Sequence, residues 1–317
     1  MILAGIDIGT NTLRLLVAEA GPGSLREIYS ARYITRLGKD LERMGRLSSE
    51  AQENSLKVLT GFAEAIRRHS AAGVSAVGTS AFRNASNAHD YVNEVKKRTG
   101  LTITIISGEE EARLTLLGVL HSLKDLDKLQ DGSSASAVVI DIGGGSTEII
   151  VTRQGHAPVT TSLPLGAVYL TERFLKHDPP SPDELELLRN AIRTVMENQE
   201  HGPCANPAAI LIGTAGTITT LAAMDQKLVD YDPDRINRHL MTVQAIDDMV
   251  ADLAAKTLKE RRAIPGLERG REDIILAGSV ITQEIMKRFG FSRMIVSDAG
   301  LREGIIIDLH AKLSKNG

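Results

Sequence analysis

The sequence predicts an α/β protein made of two duplicated domains, each a mixed β-sheet flanked by helices. Three observations carry this. A turn motif occurs twice, as Asp7-Ile8-Gly9-Thr10-Asn11-Thr12 and as Asp141-Ile142-Gly143-Gly144-Gly145-Ser146-Thr147. Each copy joins two apolar runs, residues 2–6 to 13–18 and 137–140 to 149–151, so each reads as a β-hairpin with the motif at its tip. After each hairpin, helical periodicity alternates with short apolar strands, the pattern of an α/β domain. The duplication further predicts two similar domains facing one another across a cleft.

The elements follow in order. Residues 2–8, 13–20 and 25–34 read as three strands, the last two joined by the turn Gly21-Pro22-Gly23. Ser48 and Ser49 are caps for a helix over 50–70 that Gly73 ends. A strand at 74–78, a helix at 87–99, a strand at 101–106 and a helix at 109–123 complete the first half. The polar stretch 124–136 is the expected hinge, which places one domain over residues 1–124 and the other over 125–300. The second half repeats the plan with strands at 137–141, 147–153 and 156–163 and a helix at 167–175. Pro182 starts a helix over 183–200, and a strand at 208–212 leads to a helix at 217–224. Thr242 caps 243–258, residues 273–289 are helical, and 294–296 form a last strand. The final helix starts at 301 and runs to 313; the segment 301–317 is expected to pack back on the first domain.

Composition narrows the function. The 317 residues are 42% hydrophobic, enough for two cores, but only 3% aromatic with no Trp, which leaves few stacking platforms for nucleobases. A net charge of −3 argues against general nucleic-acid binding, so a polyanionic substrate would need a locally basic cleft. Cys204 is the single cysteine, which excludes an intramolecular disulfide and a cysteine zinc site; His201 nearby reads as a loop residue. Neither a secretory leader nor a membrane-length apolar run is present, so the chain reads as cytoplasmic, without a membrane partner.

The repeated tip suits phosphate chemistry. Glycines remove Cβ atoms so that consecutive backbone N–H groups can close on phosphate oxygens, and the hydroxyls of Thr10, Thr12, Ser146 and Thr147 add donors. Asp7 or Asp141 beside such a cradle suits Mg2+, which takes one or two carboxylates and keeps its waters. Glu148 reads either as an exposed strand end or as a second group at the metal. Ser107-Gly108-Glu109-Glu110-Glu111 opens a helix, where acidic residues favour the dipole in any case. Glu111 alone aligns with Thr115, Gly118 and Ser122, a narrow stripe of small or polar residues that suits a cleft-facing edge, so Glu111 is the candidate to orient water. The turn Gly213-Thr214-Ala215-Gly216-Thr217 opens another helix and could bind an anion or serve packing. Arg14, Arg83, Arg262 and Arg302 are basic candidates for ligand contact or for the surface.

Six motifs in order resemble the exopolyphosphatase and guanosine pentaphosphate phosphohydrolase family in its short two-domain form, within the actin, Hsp70 and sugar-kinase fold group. They are Asp7–Thr12, Gly78-Thr-Ser-Ala-Phe-Arg83-Asn, Ser107–Arg113, Asp141–Glu148, Gly213–Thr217 and Ser297-Asp-Ala-Gly-Leu-Arg-Glu-Gly304. The resemblance implies two actin-like (ribonuclease H-like) domains with the active site in the interdomain cleft, and Glu111 as catalytic base. It implies metal binding by Asp141 and Glu148, with Asp7 kept as a further metal candidate from its place beside the first loop. It also implies phosphate binding by Gly9, Thr10, Asn11, Thr12, Gly143, Gly144, Gly145 and Ser146, and Arg83, Gly213, Thr214, Gly216 and Thr217 are further phosphate-binding candidates. The cofactor expected is Mg2+, with another divalent ion or K+ as alternatives, and a homodimer is compatible. The expected reaction is release of orthophosphate from the end of inorganic polyphosphate. Hydrolysis of guanosine pentaphosphate to tetraphosphate, which would tie the protein to the stringent response, is the nearest alternative. An ATPase switch and an alarmone-binding protein are the others.

Overall fold

The computed structural model describes residues 1–124, 136–153, 155–198 and 209–315. Its elements fall into two compact units, one of residues up to His121 together with the segment from Ala299 onward, the other from Ser122 to Asp298.

In the first unit the chain forms β1 (Ile2–Ile8), β2 (Thr12–Gly21), β3 (Ser24–Ile34), α1 (Leu41–Met44), α2 (Ser49–Arg68), β4 (Gly73–Gly78), α3 (Ser80–Asn84), α4 (Ala88–Thr99), β5 (Ile103–Ile105) and α5 (Gly108–Ser122). The sheet order is β3-β2-β1-β4-β5, with β1, β2 and β3 antiparallel and β4 and β5 parallel to β1. Alternation along β1 sends Ala4, Ile6 and Ile8 into a core with Leu56, Leu59 and Phe62 of α2 and Tyr91 and Val95 of α4. Ser48 caps α2 by accepting a hydrogen bond from Ala51 N at 3.2 Å.

In the second unit follow β6 (Ala137–Ile142), β7 (Thr147–Thr152), β8 (Val159–Leu163), α6 (Ala167–Phe174), α7 (Pro182–Glu197), β9 (Ile210–Thr214), α8 (Ala215–Asp225), α9 (Pro233–Ile236), β10 (Leu240–Thr242), α10 (Val243–Ala255), α11 (Leu258–Arg261), α12 (Ile275–Arg288) and β11 (Arg293–Val296). The order β10-β11-β9-β6-β7-β8 repeats the first sheet: an antiparallel three-strand meander, then strands parallel to its first member. β10 adds an antiparallel edge. Helix α12 is the centre of this core, buried from Ile275 to Met286.

The last helix, α13 (Leu301–Lys315), covers the other face of the first sheet, where Ile306 packs on Leu3 and Leu16. Its Leu301 and Ile305 also pack with Leu114 of α5, Val77 of β4 and Ile106 between β5 and α5. The approach is close: a Cβ on Gly304 would lie 1.8 Å from Leu114 O, and one on Gly118 would lie 1.9 Å from Gly300 O. Arg113 adds hydrogen bonds to Glu110 and to Asp308 on α13. Of the stripe below Glu111, Gly118 therefore packs against the backbone of Gly300.

Several boundaries differ for local reasons. The helix expected over 243–258 stops at Ala255, because Lys256 is extended and Thr257 starts α11 with a capping box to Glu260. The strand expected from 156 begins at Val159, after Pro158, which has no N–H for a ladder. The expected hinge falls largely on residues 125–135, outside the described residues, as do His201 and Cys204. Among the described residues, no helix is long and apolar enough to cross a membrane.

Candidate active site

Both hairpin tips are closed in the same way. Gly9 N donates to Thr12 O and Gly143 N to Ser146 O, each at 3.0 Å, so these two N–H groups serve the turn itself. The tip carbonyls are held by the segment after each third strand. Thr35 N and Arg36 N donate to Asn11 O and Gly38 N to Thr10 O; Ala167 N donates to Gly143 O, and Val168 N and Tyr169 N to Gly144 O. In a planar trans peptide the next N–H points opposite to the carbonyl. The N–H groups of Asn11, Gly144 and Gly145 therefore face away from those segments, and among the described residues they have no backbone acceptor. The first glycine of each loop thus closes the turn, and an anion cradle there would have to rest on the remaining tip amides.

Equivalent rows of side chains run across the two sheets beside these tips. In the first, Val77, Asp7, Arg14 and Arg32 stand opposite one another in register; in the second, Thr214, Asp141, Glu148 and Ser162 do. Registered neighbours share a face of the sheet. Each row keeps one aspartate on the central strand, Asp7 or Asp141, both 7% exposed. The next two positions differ. Two arginines make the first row cationic, whereas Glu148, 1% exposed, and a neutral serine make the second anionic. Arg14 is half-buried and forms no ion pair among the described residues.

The second row is a set of hard oxygen donors. Asp141 and Glu148 side by side, with the Thr214 hydroxyl next in the row, fit a divalent cation that takes one or two carboxylates and keeps its waters. No group of three or more His, Cys, Asp or Glu gathers for a metal among the described residues, so the row is not an all-protein cage. Ser162 donates to Glu148 Oε1 at 2.8 Å.

Of the three adjacent glutamates, Glu109 is exposed and Glu110 is taken by Arg113. Glu111 is 8% exposed, and its Oε2 accepts from Arg83 Nη1 at 2.7 Å. The same nitrogen donates to Ile106 O at 3.0 Å, so α3 and the loop before α5 jointly fix this carboxylate. The short helix α3, which places Arg83, had no periodic signal in the sequence.

The Gly213–Thr217 turn proves partly a packing feature. A Cβ on Gly213 would lie 2.5 Å from Met294 Sδ, and Thr217 packs against Gly278 of α12. Thr214 belongs to the row above, and Gly216 lies in the first turn of α8, where Gly216 O accepts from Thr220. Between them Ala215 has φ of 69°, a left-handed conformation unusual for alanine. Arg262 and Arg302 are engaged with Glu272 and Glu303.

Glycine-tipped hairpins backed by one anionic and one cationic row place the chain among phosphate-handling proteins of the actin-like fold group. Comparison with known proteins is specific: the model of the Ppx/GppA phosphatase family matches residues 16–313, and the chain belongs to that family. It is 33% identical to exopolyphosphatase 2 of Mycobacterium tuberculosis over 97% of this chain and 98% of that one. Among solved structures it is similar to the Aquifex aeolicus Ppx/GppA family member, with 32% identity, TM-score 0.80 and 98% of both chains covered. An exopolyphosphatase from Cytophaga hutchinsonii superimposes with TM-score 0.88 at 26% identity, covering 98% of this chain and 97% of that chain.

Proposed function

We propose that this phosphatase is a cytoplasmic exopolyphosphatase, which hydrolyses the terminal phosphoanhydride of inorganic polyphosphate. The observation that carries the reading is the divergence of two equivalent sheet rows, one into arginines that suit phosphate and one into carboxylates that suit a cation. Relatives named exopolyphosphatase across the whole chain length support it.

In this reading, the tip amides of Asn11, Gly144 and Gly145, with the hydroxyls of Thr10, Thr12 and Ser146, hold phosphate oxygens. Arg14 and Arg32 offset their charge. Glu111 orients a water and accepts its proton as the water oxygen bonds to the terminal phosphorus. The bridging P–O bond breaks, and the shortened chain leaves with that oxygen. Such a loose transition state needs positioning and charge neutralisation more than covalent help. Asp141 and Glu148, with Asp7 as the matching carboxylate of the first row, would hold Mg2+, which supplies neutralisation of charge on the leaving oxygens.

The test is orthophosphate release from polyphosphate, guanosine pentaphosphate and ATP, measured side by side with Mg2+. The kcat/KM should be highest on polyphosphate. Higher kcat/KM on guanosine pentaphosphate would move the same residues to that substrate, and tight ATP binding with slow turnover would favour a nucleotide switch.

A further inference from the structure

Ser162 Oγ donates to Glu148 Oε1 at 2.8 Å, and it does so from β8, an edge strand of the second sheet. Glu148 is 1% exposed, whereas Ser162 is exposed. A solvent-facing serine at a strand edge has no folding need for that bond, since water can satisfy its hydroxyl. For a glutamate with three side-chain torsions, a donor on the neighbouring strand helps to fix the carboxylate beside Asp141.

Where the second row has Ser162, the first has Arg32. An arginine beside Glu148 would also donate, but it would cancel the carboxylate charge and repel a cation. Serine is a neutral donor that orients the carboxylate and leaves the row anionic.

We propose that Ser162 is a positioning residue for the cation site, fixing Glu148 beside Asp141 without neutralising it. This rests on the cation role given to Asp141 and Glu148 above. The same stretch of chain also sets the phosphate loop. Four residues separate Ser162 from Ala167, whose N–H holds Gly143 O at 3.0 Å, while Val168 N holds Gly144 O at 2.8 Å. Gly166 makes the approach possible, because a Cβ there would lie 2.3 Å from Gly144 O. The edge segment thus adjusts a metal-directed carboxylate and the neighbouring loop together.

The experiment titrates the full chain with Mn2+ alone and reads the free ion by electron paramagnetic resonance, for the parent, Ser162→Ala, Ser162→Thr, Ser162→Arg and Glu148→Gln. Ser162→Ala should raise the Mn2+ dissociation constant about 10- to 100-fold, the range seen when a partner of a metal ligand is removed. Ser162→Thr, which keeps the donor on a strand-compatible side chain, should stay within about threefold of the parent, since only a lost donor carries that penalty. Ser162→Arg should bind least, although it can still donate. In activity assays Ser162→Ala should raise the Mg2+ needed for half-maximal rate while leaving polyphosphate KM at saturating Mg2+ unchanged. Parent-like Mn2+ binding by Ser162→Ala, with binding lost in Glu148→Gln, overturns the role of Ser162 alone. Parent-like binding by Glu148→Gln as well overturns the cation role of the row, and the present inference with it.

Discussion

Arg83 Nη1 stands 2.7 Å from Glu111 Oε2 and 3.0 Å from Ile106 O, so one guanidinium nitrogen ties a buried carboxylate to the backbone just before its own helix. The pair makes Arg83 a holder of Glu111 as well as a candidate for phosphate. Arg83→Ala should lower kcat at least about tenfold, because a misplaced catalytic group loses its alignment with water. Arg83→Lys should recover only part, since a point charge does not reproduce the planar fork. Steady-state kinetics on polyphosphate decide this: a raised KM with parent-like kcat in Arg83→Ala would mean that the arginine binds phosphate without holding the base.

Arg14 should contribute mainly to substrate binding. It is half-buried, lies opposite Asp7, and has no ion pair among the described residues. Arg14→Ala should raise polyphosphate KM several-fold, with a smaller change in kcat, and flatten the dependence of KM on ionic strength. An unchanged KM at low salt would remove Arg14 from the site.

Glu184 links acid stability to a single cap. Burial pushes its carboxyl up, but hydrogen bonds from Ser181 N, Lys176 N and the His177 side chain and backbone outweigh that and hold it down at about 2. A carboxyl held below its ordinary value of 4.5 adds stability above that value, and the addition is lost as pH falls from about 4.5 to about 2. Glu184→Gln should be less stable than the parent by about 1–3 kcal/mol at neutral pH, as expected for lost charged hydrogen bonds. In urea unfolding from pH 7 to 2, that gap should close towards the acid end. A gap independent of pH would contradict the assignment.

Ala215 should tolerate glycine better than a larger residue. Its left-handed φ of 69° costs a non-glycine residue about 1–2 kcal/mol, partly balanced by the extra chain entropy glycine loses on folding. Ala215→Gly should range from neutral to about 1 kcal/mol more stable, whereas Ala215→Val should be about 1–2 kcal/mol less stable. Thermal unfolding of both variants measures this, and a clear loss in Ala215→Gly would contradict the strain.

The parts of this molecule legible in its sequence are those encoded locally. Both hairpin tips, the Ser48, Pro182 and Thr242 helix starts and the alternation of strands with helices follow from turn chemistry and periodicity. Cross-strand register was not legible. Counting back from the Gly21-Pro22-Gly23 turn sets Arg14 against Ala31, but an irregularity between Val17 and Ala18 shifts the ladder by one and brings Arg32 there. In the stripe that runs below Glu111, the small residue at Gly118 has a packing cause, the close approach of Gly300, which sequence spacing alone does not reveal. Arg83 could not be placed because a five-residue helix leaves no periodic trace.

The central claim is that Glu111 is the group that activates water. Orthophosphate release from polyphosphate at saturating Mg2+ tests it most directly, comparing the parent with Glu111→Gln, Glu109→Gln and Glu110→Gln. The amide is isosteric but accepts no proton, so Glu111→Gln should lower kcat by at least about 100-fold with KM little changed, while its two neighbours stay near the parent. Near-parent turnover in Glu111→Gln, with a large loss in either neighbour, would contradict the account.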